Sequence, residues 1–345
     1  MKFNFPKQPD CRNYKTKLSE EQQILMKIST NQIITVEEEE ILKVCIEYYK
    51  EAFAYLKSIN LSEIEEGDLA ELIRFIKSVF YMELITQRKL YFNYLYRVTT
   101  VIDIFLEDGK VRDLGFIKNP PLEVNKKNGV YNRANTPDST IFYCAFIPSV
   151  AILEVKPKVG QRIIIAEWYK EDKHDFIAYL LTNDKTVDNE GLKLSTTSFQ
   201  QKMENQNPYF AEILGLHLEF LSSEFLKIIP VNSEKKYEYL FSAYFADIIL
   251  KNDFEPLPDI EEPIAHYDGI LYPSIAVKHE SENLAIIPQS IKKLMPLKLI
   301  EGIVLETFYD NPKLDESPIS VNVLRTATKF DDERIYWDDD EISNI

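Results

Sequence analysis

The sequence predicts an α+β protein: a mixed β core with segregated helices, preceded by an all-α N-terminal unit. Three observations carry this. Residues 18–87 place apolar side chains at three- and four-residue spacing, the period of an amphipathic helix. Beyond residue 90 the chain breaks into short runs rich in aromatic and β-branched residues, punctuated by Pro, Asn and Gly. The helical pattern that interrupts those runs is separate from them, which is the arrangement of an α+β fold rather than of alternating βαβ units.

In order along the chain, Ser19 and Gln22 have the S-x-x-Q spacing of a capping box, and VEEEEILKVCIEYYKEAFAYLKSI continues as a long amphipathic helix. DLAELIRFIKSVFYMEL follows Ser62 and a turn at Glu66-Gly67. The runs LYFNYLYRVTTV, STIFYCAF, QRIIIAEWY, FIAYLLT and KLIEGIVLETF read as strands, and a helix opening at Ser233 runs through KKYEYLFSAYFADIILK. The close, DDERIYWDDDEISNI, reads as a solvated acidic tail. The domains expected are therefore a helical unit over 1–88, a β-rich domain over 89–310 and a tail over 311–345.

Composition narrows the function. The 345 residues, 45% of them hydrophobic and 12% aromatic, are enough for a well-buried core. A net charge of −16 argues against nucleic acid and against an acidic membrane surface, both of which need a basic face. A small anion remains possible only where local cations gather. Three cysteines, Cys11, Cys45 and Cys144, form no C-x-x-C pair and read as reduced thiols, and no apolar run approaches a membrane span or a signal core, so the expected location is the cytoplasm. With nine glycines, none in G-x-G-x-x-G or G-x-x-x-x-G-K spacing, no Rossmann or P-loop fingerprint exists. The four histidines form no H-E-x-x-H, and no metal site is expected; a G-x-S-x-G elbow is absent.

What remains is a set of polar residues inside or beside apolar runs: Arg97 in YLYR, Arg133 and Tyr143 in YNRANTPDSTIFYCA, Glu154 in PSVAILEV and Ser274 in LYPS. Buried charge is costly unless paired or engaged by a ligand, so the set needs a reason. An arginine offers a planar fork suited to an anion, and a carboxylate offers a fixed negative charge.

These blocks resemble the RES domain, a family named for an arginine, a glutamate and a serine. The matching positions are Tyr96-Arg97, Arg133-Ala134-Asn135, Phe142-Tyr143, Ala151-Ile152-Leu153-Glu154-Val155 and Pro273-Ser274, with NLAIIP from Asn283 as a closing block. The match spans roughly residues 90–290, and order and spacing carry it. Asn132 departs from it, standing where the family usually has glycine.

The resemblance implies an ADP-ribosyltransferase-like fold and an enzyme that consumes NAD as substrate, with no further cofactor, in the manner of toxins from bacterial toxin–antitoxin pairs. It implies catalytic roles for Glu154, Arg97 and Ser274, and substrate contacts from Arg133, Tyr143, Tyr96 and Asn135. Arg97 and then Arg133 would take the phosphates, Glu154 the ribose, Tyr143 would stack on the nicotinamide, Tyr96 would line the same pocket, and Ser274 would offer a hydroxyl. An antitoxin protein is the partner implied. Rival readings stay open: Arg133 as a turn residue paired with Asp138, Glu167 as a structural carboxylate, and the whole domain as a catalytically silent RES-like module whose N-terminal helices bind a protein.

Overall fold

The computed structural model describes residues 3–8, 20–29, 32–80, 87–103, 106–171, 173–181, 201, 205, 207–229, 236–251, 266–278, 280–310, 313–331 and 334–340. In chain order the elements are α1 (Glu20–Ser29), α2 (Val36–Ser58), α3 (Glu66–Val79), β1 (Gln87–Lys89), β2 (Tyr94–Thr100), β3 (Leu106–Glu107), β4 (Lys110–Val111), α4 (Leu114–Lys118) and α5 (Leu122–Asn128). Then come β5 (Phe142–Ala145), α6 (Pro148–Val155), β6 (Arg162–Lys170), β7 (Ile177–Leu180), α7 (Pro208–Phe225) and α8 (Leu240–Lys251). The chain continues through β8 (Gly269–Pro273), β9 (Glu282–Ile286), β10 (Leu294–Thr307), β11 (Ile319–Ala327), β12 (Lys329–Phe330) and β13 (Ile335–Tyr336).

These elements divide into two units: residues 1–86, 131–134 and 181–266, and residues 87–130, 135–180 and 267–345. The first unit is helical. Thr35 provides the capping box of its long helix: its hydroxyl accepts from the Glu38 amide while the Glu38 carboxylate accepts from the Thr35 amide. Ser19 and Ser233 lie outside the described residues. Helix α3 begins at Glu66, where a turn is expected from the sequence. The main departure is α7, a helix not expected from the sequence, although its exposed residues Pro208, Glu212, Gly215 and Glu219 fall on one stripe opposite its buried face. It packs on α2, where Phe53 stacks on Phe220 at 4.8 Å and meets the ring of His217 edge-on. The apolar face of α2 is thus completed by residues far along the chain, which is why the helical unit is discontinuous rather than confined to 1–88.

The second unit is built on a nine-stranded sheet in the order β1-β7-β8-β9-β5-β2-β6-β10-β11. All neighbours are antiparallel except β7 and β8. Helix α6 lies on one face, its Val150, Ala151, Ile152 and Leu153 packed with Val98, Ala145 and Ile163. At β8, Gly269 has no room for a side chain: a Cβ there would fall 2.4 Å from the carbonyl oxygen of Ala285.

Residues 313–331 and 334–340 are not a solvated tail. Strand β11 extends the sheet beside β10, and Trp337, 1% exposed, donates from its indole to the Val111 carbonyl at 2.8 Å. Asp340 accepts from Arg112, Lys110 and the Trp337 amide. The sequence shows only the acids; their cations sit more than two hundred residues away. Trp337→Ala is expected to cost about 3–5 kcal/mol through cavity formation, read by chemical denaturation. The Arg112 hydrogen bond, then Lys110, hold the Asp340 carboxyl well below the usual carboxylate range. A depressed folded-state value means the stabilisation is present above the ordinary aspartate pKa and is lost as pH falls below it. Asp340→Asn is expected to flatten that acid-side loss in thermal melts.

Candidate functional site

Helix α6 is opened by Pro148 in its first turn, where a missing N–H costs nothing, and closed by Lys156 in the left-handed region at φ 46°. Its apolar residues fix it to the sheet, which leaves Glu154, the penultimate residue, exposed at the helix end. Oε1 of Glu154 accepts two hydrogen bonds: from Ser274 Oγ at 2.5 Å and from Asn283 Nδ2 at 2.6 Å. Both donors are buried, Ser274 at 0% and Asn283 at 3% exposed. Ser274 directly follows β8, and its amide donates to the Ser281 carbonyl to close the β8–β9 turn. Oε2 of Glu154 has no partner among the described residues.

Strand register arranges the rest. Asn283 on β9 faces Ala145 on β5, Ala145 faces Tyr96 on β2, and Tyr96 faces Glu167 on β6, so these four form one row on one face of the sheet. The Tyr96 hydroxyl donates to Glu167 at 3.2 Å, and burial followed by the Glu167 charge pushes the phenol pKa up. Tyr143 shares that face. Its hydroxyl donates to Oδ1 of the buried Asn135 at 2.9 Å, while the Asn135 amide donates to the carbonyls of Thr136 and Ser139. The turn ahead of β5 is thereby tied to the aromatic ring behind it.

Arg97, next to Tyr96 on β2, leaves the sheet on the opposite face, beside Cys144 and 5.2 Å from the centroid of the Phe142 ring. Adjacent residues of a strand point to opposite sides, so Arg97 does not share the face on which Tyr96 and Tyr143, expected to line one pocket, lie together. Strands β2 and β5 are joined through the single couple Tyr96–Ala145, and at that seam Arg97 Nη1 donates to the Tyr143 backbone carbonyl at 3.0 Å. Arg97 is 8% exposed, its Nε has no hydrogen-bond partner, and it forms no ion pair with any described residue. Burial lowers its pKa to about 10, which leaves it charged at neutral pH. Burial likewise pushes the neighbouring Cys144 thiol up, so it is an inert thiol.

Arg133 belongs to the helical unit. It donates to the Phe225 carbonyl at the C-terminal end of α7 and to the Tyr239 hydroxyl at 3.0 Å, with its guanidinium over the Tyr239 ring. Those partners are cation-seeking helix-end carbonyl and aromatic face. Asn132 does not take the left-handed conformation; among described non-glycine residues positive φ occurs at Asp108, Lys156 and Lys278. An asparagine in place of glycine therefore brings no backbone strain there.

The geometry thus joins Glu154, Ser274 and Asn283 into one cluster, fixes Tyr143 through Asn135 and Tyr96 through Glu167, and sets Arg97 at the strand seam. Asn283 is the member to which sequence reasoning gives no role, although it heads the closing block NLAIIP and is a polar residue in a buried strand. Among the described residues, no helix is long and apolar enough to cross a membrane.

An α+β protein with a tethered, exposed carboxylate at a helix end and a buried cation lacking an acidic partner is the class these features define. A family model, the RES domain, matches residues 118–299, just over half of the chain. The chain belongs to the RES domain family, which is associated with NAD-utilising enzymes. Glu154, Ser274 and Asn283 fall within the match, and Tyr96 and Arg97 precede it. Comparison with curated proteins and with solved structures found no match.

Proposed function

We propose that the protein cleaves NAD at the nicotinamide–ribose bond, passing the ADP-ribosyl group to water, phosphate or a protein side chain, and that it acts as a RES-type toxin restrained by an antitoxin. The observation that carries this reading is the 2.5 Å hydrogen bond between Ser274 and Glu154. Two residues that the family pattern names, 120 positions apart, meet at a carboxylate whose second oxygen remains available.

Breaking the bond between ribose C1′ and the nicotinamide nitrogen returns the bonding pair to the ring nitrogen and leaves positive charge on the ribose. Glu154 supplies the fixed negative charge that this transition state needs, and its free oxygen accepts from a ribose hydroxyl. Because Ser274 and Asn283 already hold Oε1, the charge does not have to reorganise as the bond breaks. Tyr143, oriented by Asn135, offers a ring face to the nicotinamide, and Tyr96 borders the same face of the sheet. The remaining N–H groups of Arg97 are assigned to the diphosphate, supported by its lack of an ionic partner among the described residues. The diphosphate then has to cross the sheet at the β2–β5 seam, where a single residue couple joins the strands, to reach the face opposite Glu154.

Purified protein incubated with NAD is expected to release nicotinamide, with phosphate present or absent distinguishing phosphorolysis from hydrolysis by the ribosyl product. No release under either condition, and no transfer to added protein, would overturn the proposal in favour of a silent RES-like module that binds a protein partner.

A further inference from the structure

Glu154 is exposed at the end of an eight-residue helix, and a glutamate there would ordinarily sample several rotamers. Something must select one. We infer that Asn283 is the positioning residue for Glu154, fixing the carboxylate so that Oε2 alone is presented to the ligand. This rests on the reading that Glu154 carries NAD cleavage.

Asn283 is well placed for the role. Its backbone is held on both sides, by Tyr272 of β8 and Ala145 of β5, and its side chain is buried. A carboxylate can only accept, so the amide nitrogen must be the group that faces it, and the orientation of the amide is settled by chemistry. Ser274 cannot do this alone: a hydroxyl hydrogen rotates about its C–O bond and follows the carboxylate wherever it goes. The amide hydrogens lie in a fixed plane. With both donors on Oε1, the two carboxylate oxygens become inequivalent, one spent on the protein and one kept for the substrate.

The test is a reciprocal swap in the full chain, read by thermal midpoint and by kcat and KM for nicotinamide release. Asn283→Asp keeps the shape but sets two carboxylates in contact; the midpoint is expected to fall and kcat to drop by about 100-fold with KM nearly unchanged, as misplacement of a catalytic group does. Combined with Glu154→Gln, the pair is rebuilt in reverse, Gln donating to Asp. The midpoint is then expected to recover while kcat does not, because the charge now sits on the wrong residue. A merely structural asparagine predicts an Asn283→Asp protein whose midpoint falls while kcat of the folded protein stays near parental, which overturns the inference, as does an Asn283→Asp protein with parental midpoint and kcat. Should the parent itself release no nicotinamide, the NAD reading fails separately, and the midpoint cycle still decides: no recovery in the swap overturns the clamp.

Discussion

Glu154→Gln is expected to lower kcat for nicotinamide release by roughly 100- to 1,000-fold, with KM little changed and the fold intact. The substitution isolates charge from shape. The amide oxygen of glutamine can still accept from Ser274 Oγ and Asn283 Nδ2, so the tether of α6 to the β8–β9 turn persists. What disappears is the full negative charge facing the developing cation, an interaction stronger in the transition state than in the bound substrate. Such a term appears in kcat and spares KM. The loss corresponds to about 2.7–4 kcal/mol of transition-state stabilisation. Undiminished kcat in a folded variant would remove Glu154 from the chemistry, whereas a parallel rise in KM would mark it as a ground-state binding contact.

Much of this site was legible in the sequence, and the reasons for the rest are local. Pro148 and the apolar run to Leu153 announced a short buried helix, and Glu154 as its one charged residue followed directly. Strands such as RIIIAEWYK declared themselves because a central strand is buried on both faces. Helix α7 is less plain, because Pro208 and Gly215 punctuate its apolar run as loop signals do, although Glu212, Gly215 and Glu219 keep helical spacing on its exposed stripe. The acids after Trp337 read as solvated because the side chains that neutralise them, Lys110 and Arg112, are close in space and remote in sequence. The placement of Arg97 was hidden for a different reason. A motif written as aromatic–Arg suggests two neighbours acting together, yet in a strand neighbours are divided between faces. Arg133 reads as a cleft cation by its motif, while the structure gives its donors to Phe225 and Tyr239. Asn283 has no role readable from the sequence, because an amide in a strand carries no signature of its own until its partner is known.

Arg97→Met is expected to raise KM for NAD by roughly 10-fold or more, the worth of a hydrogen bond to a charged group, while leaving the thermal midpoint near the parental value. The two halves of this expectation have separate causes. In the unliganded protein the guanidinium is a buried charge with one hydrogen bond, to the Tyr143 carbonyl, and no acidic partner among the described residues. Methionine loses that bond and the approach to the Phe142 ring, but it also removes the cost of holding an unpaired cation away from water. The terms oppose one another and leave the net change small. An anionic diphosphate sees only the loss. A residue that is costly to the empty protein and valuable to the complex is one placed for a ligand. The contrary result, a large fall in midpoint with KM unmoved, would make Arg97 a strut that holds β2 and β5 together at their seam, and the diphosphate would need another cation.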